Sequence, residues 1–231
     1  MPSFKNHNLE NPCVITIDGP AGAGKSTIAK RLAEELAYTY LDTGAMYRAL
    51  TLKAIDLKVD LENEEALVNM TKESEIKFNT QDGCLKVLLD GRDVTEDIRT
   101  LEVTNNTFYI ARVGRLRELV VHWQRELGSM QNVVVEGRDI GTVVFPDALH
   151  KFYLDADLGQ RSLRRIKELE LKGLNVDAQK LKEELQLRDQ KDMSRKVGPL
   201  LKAKNAIVID STEMTIDEVV LTIKEKITSN G

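Results

Sequence analysis

Cysteines, aromatic residues and long apolar runs are all scarce in this sequence of 231 residues, of which only 5% are aromatic. The two cysteines, Cys13 and Cys84, have no paired spacing. We therefore expect no disulfide framework, zinc site or redox pair, and interpret both as buried, inert thiols. No stretch approaches the ~18 apolar residues of a membrane span, and residues 1–12 lack the apolar core of a secretory signal. We therefore expect a cytoplasmic protein with no membrane partner.

An excess of basic residues is also missing, since the formal net charge is -4. Nucleic-acid-binding proteins usually carry a basic surface, so we expect no nucleic-acid partner. The remaining composition, 42% hydrophobic and 30% charged residues, is ordinary for a globular protein. A chain of this length buries a substantial core, as one domain over 1–231 or as a main domain with a smaller insertion.

Short apolar strands alternate with amphipathic helices along most of the chain. Strands are predicted at 13–18, 38–41, 132–135, 151–154 and 206–209, and helices at 26–38, 44–58, 64–72, 104–128 (one or two), 158–171, 177–191 and 215–228. This alternation predicts an α/β fold with a doubly wound, five-stranded parallel sheet. Thr215 and Glu218 have capping-box spacing at the start of the last helix.

The middle of the chain departs from this alternation. Predicted strands at 75–79 and 85–89 flank a turn signal at 80–83, which indicates a β-hairpin, and a third short strand is expected to begin at Val94. The sequence therefore predicts a small antiparallel insert at about 62–100.

The strongest single motif lies between the first predicted strand and the first predicted helix. It matches G-x-x-x-x-G-K-[ST], whose backbone N–H groups and helix N-terminus bind phosphate. Lys25 is expected to reach the β- and γ-phosphates of ATP, and the Ser26 hydroxyl to ligate Mg²⁺. An accidental glycine-rich turn is the alternative, and the flanking strand and helix disfavour it. The ATP-binding residues predicted are Gly19, Pro20, Ala21, Gly22, Ala23, Gly24, Lys25, Ser26 and Thr27.

A P-loop alone does not distinguish kinases from GTPases, motors or ATP-driven switches. The second half of this chain, however, is rich in arginine, whose guanidinium group binds phosphate oxygens bidentately. Transfer of a phosphoryl group between two anions requires such charge around donor and acceptor. The composition therefore favours a kinase. For Arg31, Arg125 and Arg161 we expect solvated helix faces instead.

Longer motifs cover nearly the whole chain. They are L-D-T-G-A-M-Y-R at 41–48, D-G-R-D-V at 90–94, G-R-D-I-G-T-V-V-F-P-D-A at 137–148, R-D-Q-K-D at 188–192 and D-S-T at 210–212. In these motifs the sequence closely resembles the bacterial cytidylate kinases, which are P-loop nucleoside monophosphate kinases. The resemblance implies ATP-dependent phosphorylation of CMP and dCMP, with a monophosphate-binding part at 43–111 and a short helical lid at 158–195. We also expect a monomer.

The resemblance also implies roles for single residues. Thr43 would line the monophosphate pocket, and Arg48 and Arg138 would bind the acceptor phosphate. Arg117 and Asp139 would read the base, since a carboxylate can accept from the N4 amino group of cytosine but opposes the O4 of uracil. The motif at 188–192 and the residue three beyond it add further contacts to sugar or phosphate. These contacts would come from Arg188, Asp192 and Arg195. The expected catalytic set is Lys25, Arg138, Arg188 and Arg195.

Two positions depart from the family pattern. Glu136 stands where family members often carry Asp, and we expect it to support Mg²⁺ through water. Phe108 stands where some relatives carry a small hydroxyl residue that touches the base, and Thr107 is adjacent to it.

Two alternatives remain open at this point. One is a kinase for another small acceptor, such as UMP, shikimate or dephospho-coenzyme A. The other is a binding module that hydrolyses ATP slowly and signals by its shape. A panel of acceptors distinguishes both from a cytidylate kinase, because only a kinase releases ADP in response to its acceptor.

Overall fold

The computed structural model of the chain describes residues 12–81, 84–171, 173 and 175–229. These residues form two compact units. The first comprises the chain up to Leu41 and from Arg125 onward, and the second comprises Asp42–Gln124. No helix in the described part of the chain is both long and apolar enough to cross a membrane.

A five-stranded sheet has its strands in the spatial order Thr39–Asp42 (β2), Val133–Gly137 (β6), Val14–Asp18 (β1), His150–Asp155 (β7) and Ile207–Asp210 (β8). Strand β1 pairs in parallel with β6 and β7, and β7 pairs in parallel with β8. The fold class expected from the sequence is confirmed, and the strand bounds differ from the prediction by one or two residues.

The central strands are buried on both faces because helices cover both sides of a doubly wound sheet. Ile15, Ile17, Val134 and Phe152 are buried for this reason. The helices that carry site residues or pack beside them are Lys25–Leu36 (α1), Leu158–Leu171 (α6), Ala178–Met193 (α7) and Ile216–Ser229 (α8).

The start of α8 shows the predicted capping box. The backbone N–H of Glu218 donates to Thr215 Oγ1 at 3.3 Å, and the N–H of Thr215 donates to Glu218 Oε2 at 2.8 Å. The reciprocal bonds satisfy donors that the first turn of a helix leaves without partners.

The second unit contains the antiparallel sheet, with strands in the order Ile76–Gln81 (β3), Cys84–Leu89 (β4) and Arg92–Asp93 (β5). The hairpin of β3 and β4 is confirmed, although residues 82–83 of its predicted turn lie outside the described residues. The third strand lies just before the predicted position, because Val94 turns inward and donates to the carbonyl of Val87 after the strand has ended. The helices of this unit include Thr43–Asp56 (α2), Glu64–Lys72 (α3), Leu101–Ala111 (α4) and Gly114–Met130 (α5).

Helices α2, α3, α4 and α5 enclose an apolar cluster within the second unit. Met46, Leu50, Leu67 and Leu116 are buried in it, and Trp123 packs against it. This core fixes the N-terminal parts of α2 and α5, which carry Thr43, Arg48 and Arg117.

The cysteine predictions have different outcomes. Cys13 is a free thiol of intermediate exposure rather than a buried one, because it lies just before β1 begins. The side chain of Cys84 lies outside the described residues.

Candidate active site

The P-loop follows β1 and ends in the first turn of α1. Gly19 has φ +150°, and a Cβ placed there would lie 2.0 Å from the carbonyl oxygen of Leu154 in β7. Only glycine fits this approach. Gly24, with φ +93°, is the N-cap residue of α1 and has no side chain that could cap the helix. The first N–H groups of α1 therefore face the loop, where an anion can accept from them.

Lys25 is buried at the base of this loop, and its Nζ donates to the carbonyl of Pro20 at 2.7 Å. Burial, assisted by the positive charge of Arg138, lowers the pKa of Lys25 to about 7, although Glu136 acts in the opposite direction. The ammonium is thus held where an added negative charge would stabilise it. This is the behaviour expected of a phosphate-binding lysine.

Ser26 and Glu136 place two oxygen ligands side by side. Ser26 Oγ donates to Glu136 Oε1 at 2.5 Å, and the same oxygen accepts from the Tyr40 hydroxyl at 3.1 Å. Glu136 reaches this position because β6 pairs with β1, where it lies opposite Ile17. A hydroxyl and a carboxylate are hard oxygen donors of the kind Mg²⁺ prefers, so these residues fit the metal that the P-loop implies.

Asp18, the last residue of β1, holds the segment that follows β6. Its Oδ1 accepts from the N–H of Ile140 at 2.8 Å and its Oδ2 from the N–H of Gly141 at 2.7 Å. Burial raises the pKa of Asp18 to about 6, although these two backbone bonds favour its ionised form. Since Arg138 and Asp139 directly precede Ile140, Asp18 fixes the backbone that carries them. Sequence reasoning missed this residue, whose only signal was its position before the P-loop.

Arg138, Asp192 and Arg195 form one charged cluster at the end of α7. Arg138 Nε donates to Asp192 Oδ2 at 2.8 Å, and Arg195 donates to Asp192 Oδ1. Burial by itself would raise the pKa of Asp192 and lower that of Arg138, but neighbouring groups of opposite charge outweigh it. Arg138, Arg195 and Arg188 lower the pKa of Asp192. Asp192 in turn raises the pKa of Arg138. Asp192 is only 4% exposed and is not part of a solvated helix end.

Arg48 is oriented by Asp42 at the start of α2, within the second unit. The N–H of Ala45 donates to Asp42 Oδ1 as an N-cap, and Arg48 Nη2 donates to Asp42 Oδ2 at 2.9 Å. A Cβ on Gly44 would lie 3.0 Å from Arg48 Nη1, so glycine leaves room for the guanidinium. Among the described residues, the buried Nε of Arg48 has no hydrogen-bond partner, which suits a group that binds an anion. Thr43, the first residue of α2, is buried beside this arrangement.

Arg117 is buried on α5, also within the second unit, and is only 2% exposed. Its guanidinium carbon lies 5.3 Å from the centroid of the Tyr47 ring, which is cation–π distance, and Nη1 donates to the carbonyl of Ala111 at 3.4 Å. Asp139 belongs to the first unit and is likewise buried. Burial places both residues in low-dielectric surroundings, where hydrogen bonds are stronger than in water.

The expectation for Arg161 is wrong. Its side chain is buried rather than solvated and extends from α6 toward the P-loop and α7. There the guanidinium donates to the backbone carbonyls of Ala156 and Ala21 and to the carboxylate of Asp189. Arg31 is exposed as expected, in an ion pair with Glu35. Arg125 is exposed but donates to the carbonyls of Val143 and Val144, so it also supports the segment after β6.

A strand, a phosphate-binding loop and a helix that begins at a buried lysine, on a doubly wound parallel sheet, define a P-loop nucleotide-binding protein. A profile of the family described as cytidylate kinase matches residues 15–229. The chain belongs to the cytidylate kinase family, as the sequence motifs predicted.

Curated relatives agree with this assignment. The cytidylate kinase of Pediococcus pentosaceus is 47% identical over 92% of this chain and 94% of its own length. That of Anoxybacillus flavithermus is 50% identical over 92% and 94%. An uncharacterized protein from Eubacterium ventriosum has a similar fold, with a TM-score of 0.50 at 12% identity over 94% of this chain and 99% of its own.

Proposed function

We propose that the protein transfers the γ-phosphoryl group of ATP to the phosphate of CMP and dCMP, giving ADP with CDP or dCDP. The observation that carries this proposal is the buried Lys25 in a complete P-loop, in a chain that belongs to the cytidylate kinase family. We further propose that the protein acts as a monomer on the nucleotides of the cytoplasm.

The P-loop would bind ATP, the phosphoryl donor. Backbone N–H groups at the start of α1 and the ammonium of Lys25 would bind the β- and γ-phosphates. Ser26 would ligate Mg²⁺ directly and Glu136 through water, and the metal, when bound, would neutralise charge on the transferring group. Contacts of Ser26 and Tyr40 orient the Glu136 carboxylate for this role.

The acceptor half requires positive charge that is already oriented. We propose that Thr43, Arg48, Arg138 and Arg195 bind the phosphate of CMP, and that Arg188 and Asp192 contact its sugar or phosphate. An oxygen of the acceptor phosphate then attacks the γ-phosphorus, and the bond to the β-phosphate oxygen breaks. Lys25, Arg138, Arg188 and Arg195 would stabilise the charge on the transferring oxygens.

Base selection is assigned to Arg117 and Asp139. An ionised carboxylate can only accept hydrogen bonds, which suits the amino group of cytosine, while a guanidinium can donate to N3 or O2. With uracil the carboxylate would face an acceptor, and a buried polar group left without a partner costs about 1–3 kcal/mol. The proposal therefore includes preference for CMP and dCMP over UMP.

An acceptor panel tests the proposal. ADP release from MgATP would be measured with CMP, dCMP, UMP, AMP, shikimate and dephospho-coenzyme A, with Lys25→Met as the inactive control. We expect release that depends on CMP or dCMP and a low rate without an acceptor. A strong response to another acceptor alone would assign a different kinase, and turnover independent of any acceptor would favour an ATP-driven binding module.

A further inference from the structure

Ala21, the third residue of the P-loop, is held by side chains from two helices outside the loop. Its N–H donates to Asp189 Oδ1 of α7 at 3.1 Å. Its carbonyl accepts from Arg161 Nη1 of α6 at 2.9 Å. Both polar groups of one loop residue are therefore fixed by side chains that lie 140 and 168 positions away in the sequence.

The two side chains that hold Ala21 also bind each other. Arg161 Nη1 lies 2.5 Å from Asp189 Oδ2, with side chains only 9% and 8% exposed. Arg161 Nε adds a bond to the carbonyl of Ala156 at 2.9 Å. Removing two charges from water is costly, and the cost is offset only where geometry and additional hydrogen bonds are good. The described contacts supply such bonds, and these bonds restrain both groups.

The loop backbone also lies directly against α6 at this point. Gly22 has φ +77°, and a Cβ there would lie 3.1 Å from the carbonyl oxygen of Arg161 and 3.2 Å from its Cβ. The loop therefore has little space to move toward α6, and the charge pair restrains it from moving away.

We infer that Arg161 and Asp189 are positioning residues that fix the P-loop at Ala21 and thereby set its affinity for the phosphates of ATP. Neither is assigned to touch the acceptor. Asp192, one turn further along α7, keeps its own bonds to Arg138 and Arg195. Loss of the pair should therefore weaken the donor site and leave the acceptor site largely unchanged. The kinetic part of this inference rests on the proposed function, whereas the binding part does not.

The test uses the double variant Arg161→Met/Asp189→Leu, which removes both charges together and so avoids a buried, unpaired one. The dissociation constant of a non-hydrolysable ATP analogue with Mg²⁺ would be measured by calorimetry, below the unfolding temperature of each variant. We expect it to rise about tenfold, because the variant removes both side-chain hydrogen bonds to Ala21 and a tenfold change corresponds to about 1.4 kcal/mol, within the range expected for one or two such bonds. Arg165→Gln, which among the described residues removes the partly exposed pair with Glu168, is the matched control and should leave binding unchanged.

Kinetics separate positioning from a merely structural role. The KM for ATP should rise in the double variant. The KM for CMP should stay within about twofold of the wild-type value, a change of under about 0.5 kcal/mol. Unchanged binding of the analogue, or equal losses for ATP and CMP, would overturn the inference. Should the double variant fail to fold, Arg161→Lys serves instead, because one ammonium cannot reproduce the planar fork that bonds two carbonyls and a carboxylate, and the same split is expected. Absence of acceptor-dependent ADP release from the wild type would refute the proposed function and leave the analogue-binding measurement to decide this inference.

Discussion

Binding of ATP should be accompanied by proton uptake at Lys25. In the protein without nucleotide, burial and the charge of Arg138 lower the pKa of Lys25 to about 7. The phosphates of ATP are strong negative charges, and an opposite charge close to an ammonium raises its pKa. A lysine with a pKa of about 7 is about one-tenth protonated near pH 8, so full protonation on binding takes up about 0.9 proton there and about 0.1 near pH 6.

Calorimetry measures this uptake directly. A non-hydrolysable ATP analogue with Mg²⁺ would be titrated near pH 8 in buffers of different ionisation enthalpy, and the dependence of the heat on that enthalpy gives the number of protons. Near pH 8 Asp18, with its pKa raised to about 6, is already ionised and contributes little. Lys25→Met is the control. Equal uptake in the wild type and in Lys25→Met would refute the reasoning.

The same pKa shift has a consequence for stability. The pKa of Lys25 is 10.5 in an unfolded chain and about 7 in the folded one, so the unfolded chain binds more protons between these values. Stability therefore rises with pH through this window, because the cost of burying the charge is present in full below about pH 7 and is lost progressively as the pH rises toward 10.5. Denaturant unfolding at about pH 7 and about pH 9.5 should show a smaller difference for Lys25→Met than for the wild type. An identical difference in the two proteins would contradict the conclusion that burying the charge of Lys25 destabilises the folded state.

Three further predictions concern the reaction. Lys25→Met should lower transfer about 10³-fold or more without lowering the midpoint of thermal unfolding, and activity above about a tenth of wild type would exclude the lysine from catalysis. Arg138→Ala and Arg48→Ala should each weaken CMP by about 1.5–3 kcal/mol and ATP much less; equal losses of apparent affinity for both nucleotides would contradict their assignment to the acceptor. Asp139→Asn should reduce the preference for CMP over UMP by about 5- to 150-fold in kcat/KM, since an amide can donate to O4 of uracil, and an unchanged ratio would remove Asp139 from base reading.

Periodicity and turn signals were sufficient to predict the fold. Alternation of apolar strands with amphipathic helices carries the topology of a doubly wound sheet, because both faces of each central strand must be covered. Element ends were less certain. Backbone hydrogen bonds decide where an element begins and ends. The N–H of Val94, for example, bonds to the carbonyl of Val87 directly after β5 has ended, whereas the sequence predicts that a strand begins there.

Residues of the site were predictable where they stand in a motif. The P-loop is contiguous, so its sequence alone specifies the strand–loop–helix context in which Lys25 and Ser26 lie. The Asp18 bonds to Ile140 and Gly141 join residues 122 and 123 positions apart, and no local pattern reports such a contact. Arg161 was misassigned for the same reason. Helical spacing places a charged residue on the outer face by default, and only the tertiary partners Ala21 and Asp189 reverse that expectation.

Helix α7 shows why a motif can locate residues without revealing what they do. Asp189 and Asp192 are three residues apart, so they lie on the same side of the helix. Asp189 binds the P-loop through Ala21, and Asp192 binds Arg138. At 3.6 residues per turn, one residue inserted between them would rotate one carboxylate by about 100° relative to the other, so both sets of bonds could not form together. The spacing within R-D-Q-K-D is therefore a geometric requirement: one rigid helix turn sets the distance between the loop that binds ATP and an arginine assigned to the acceptor.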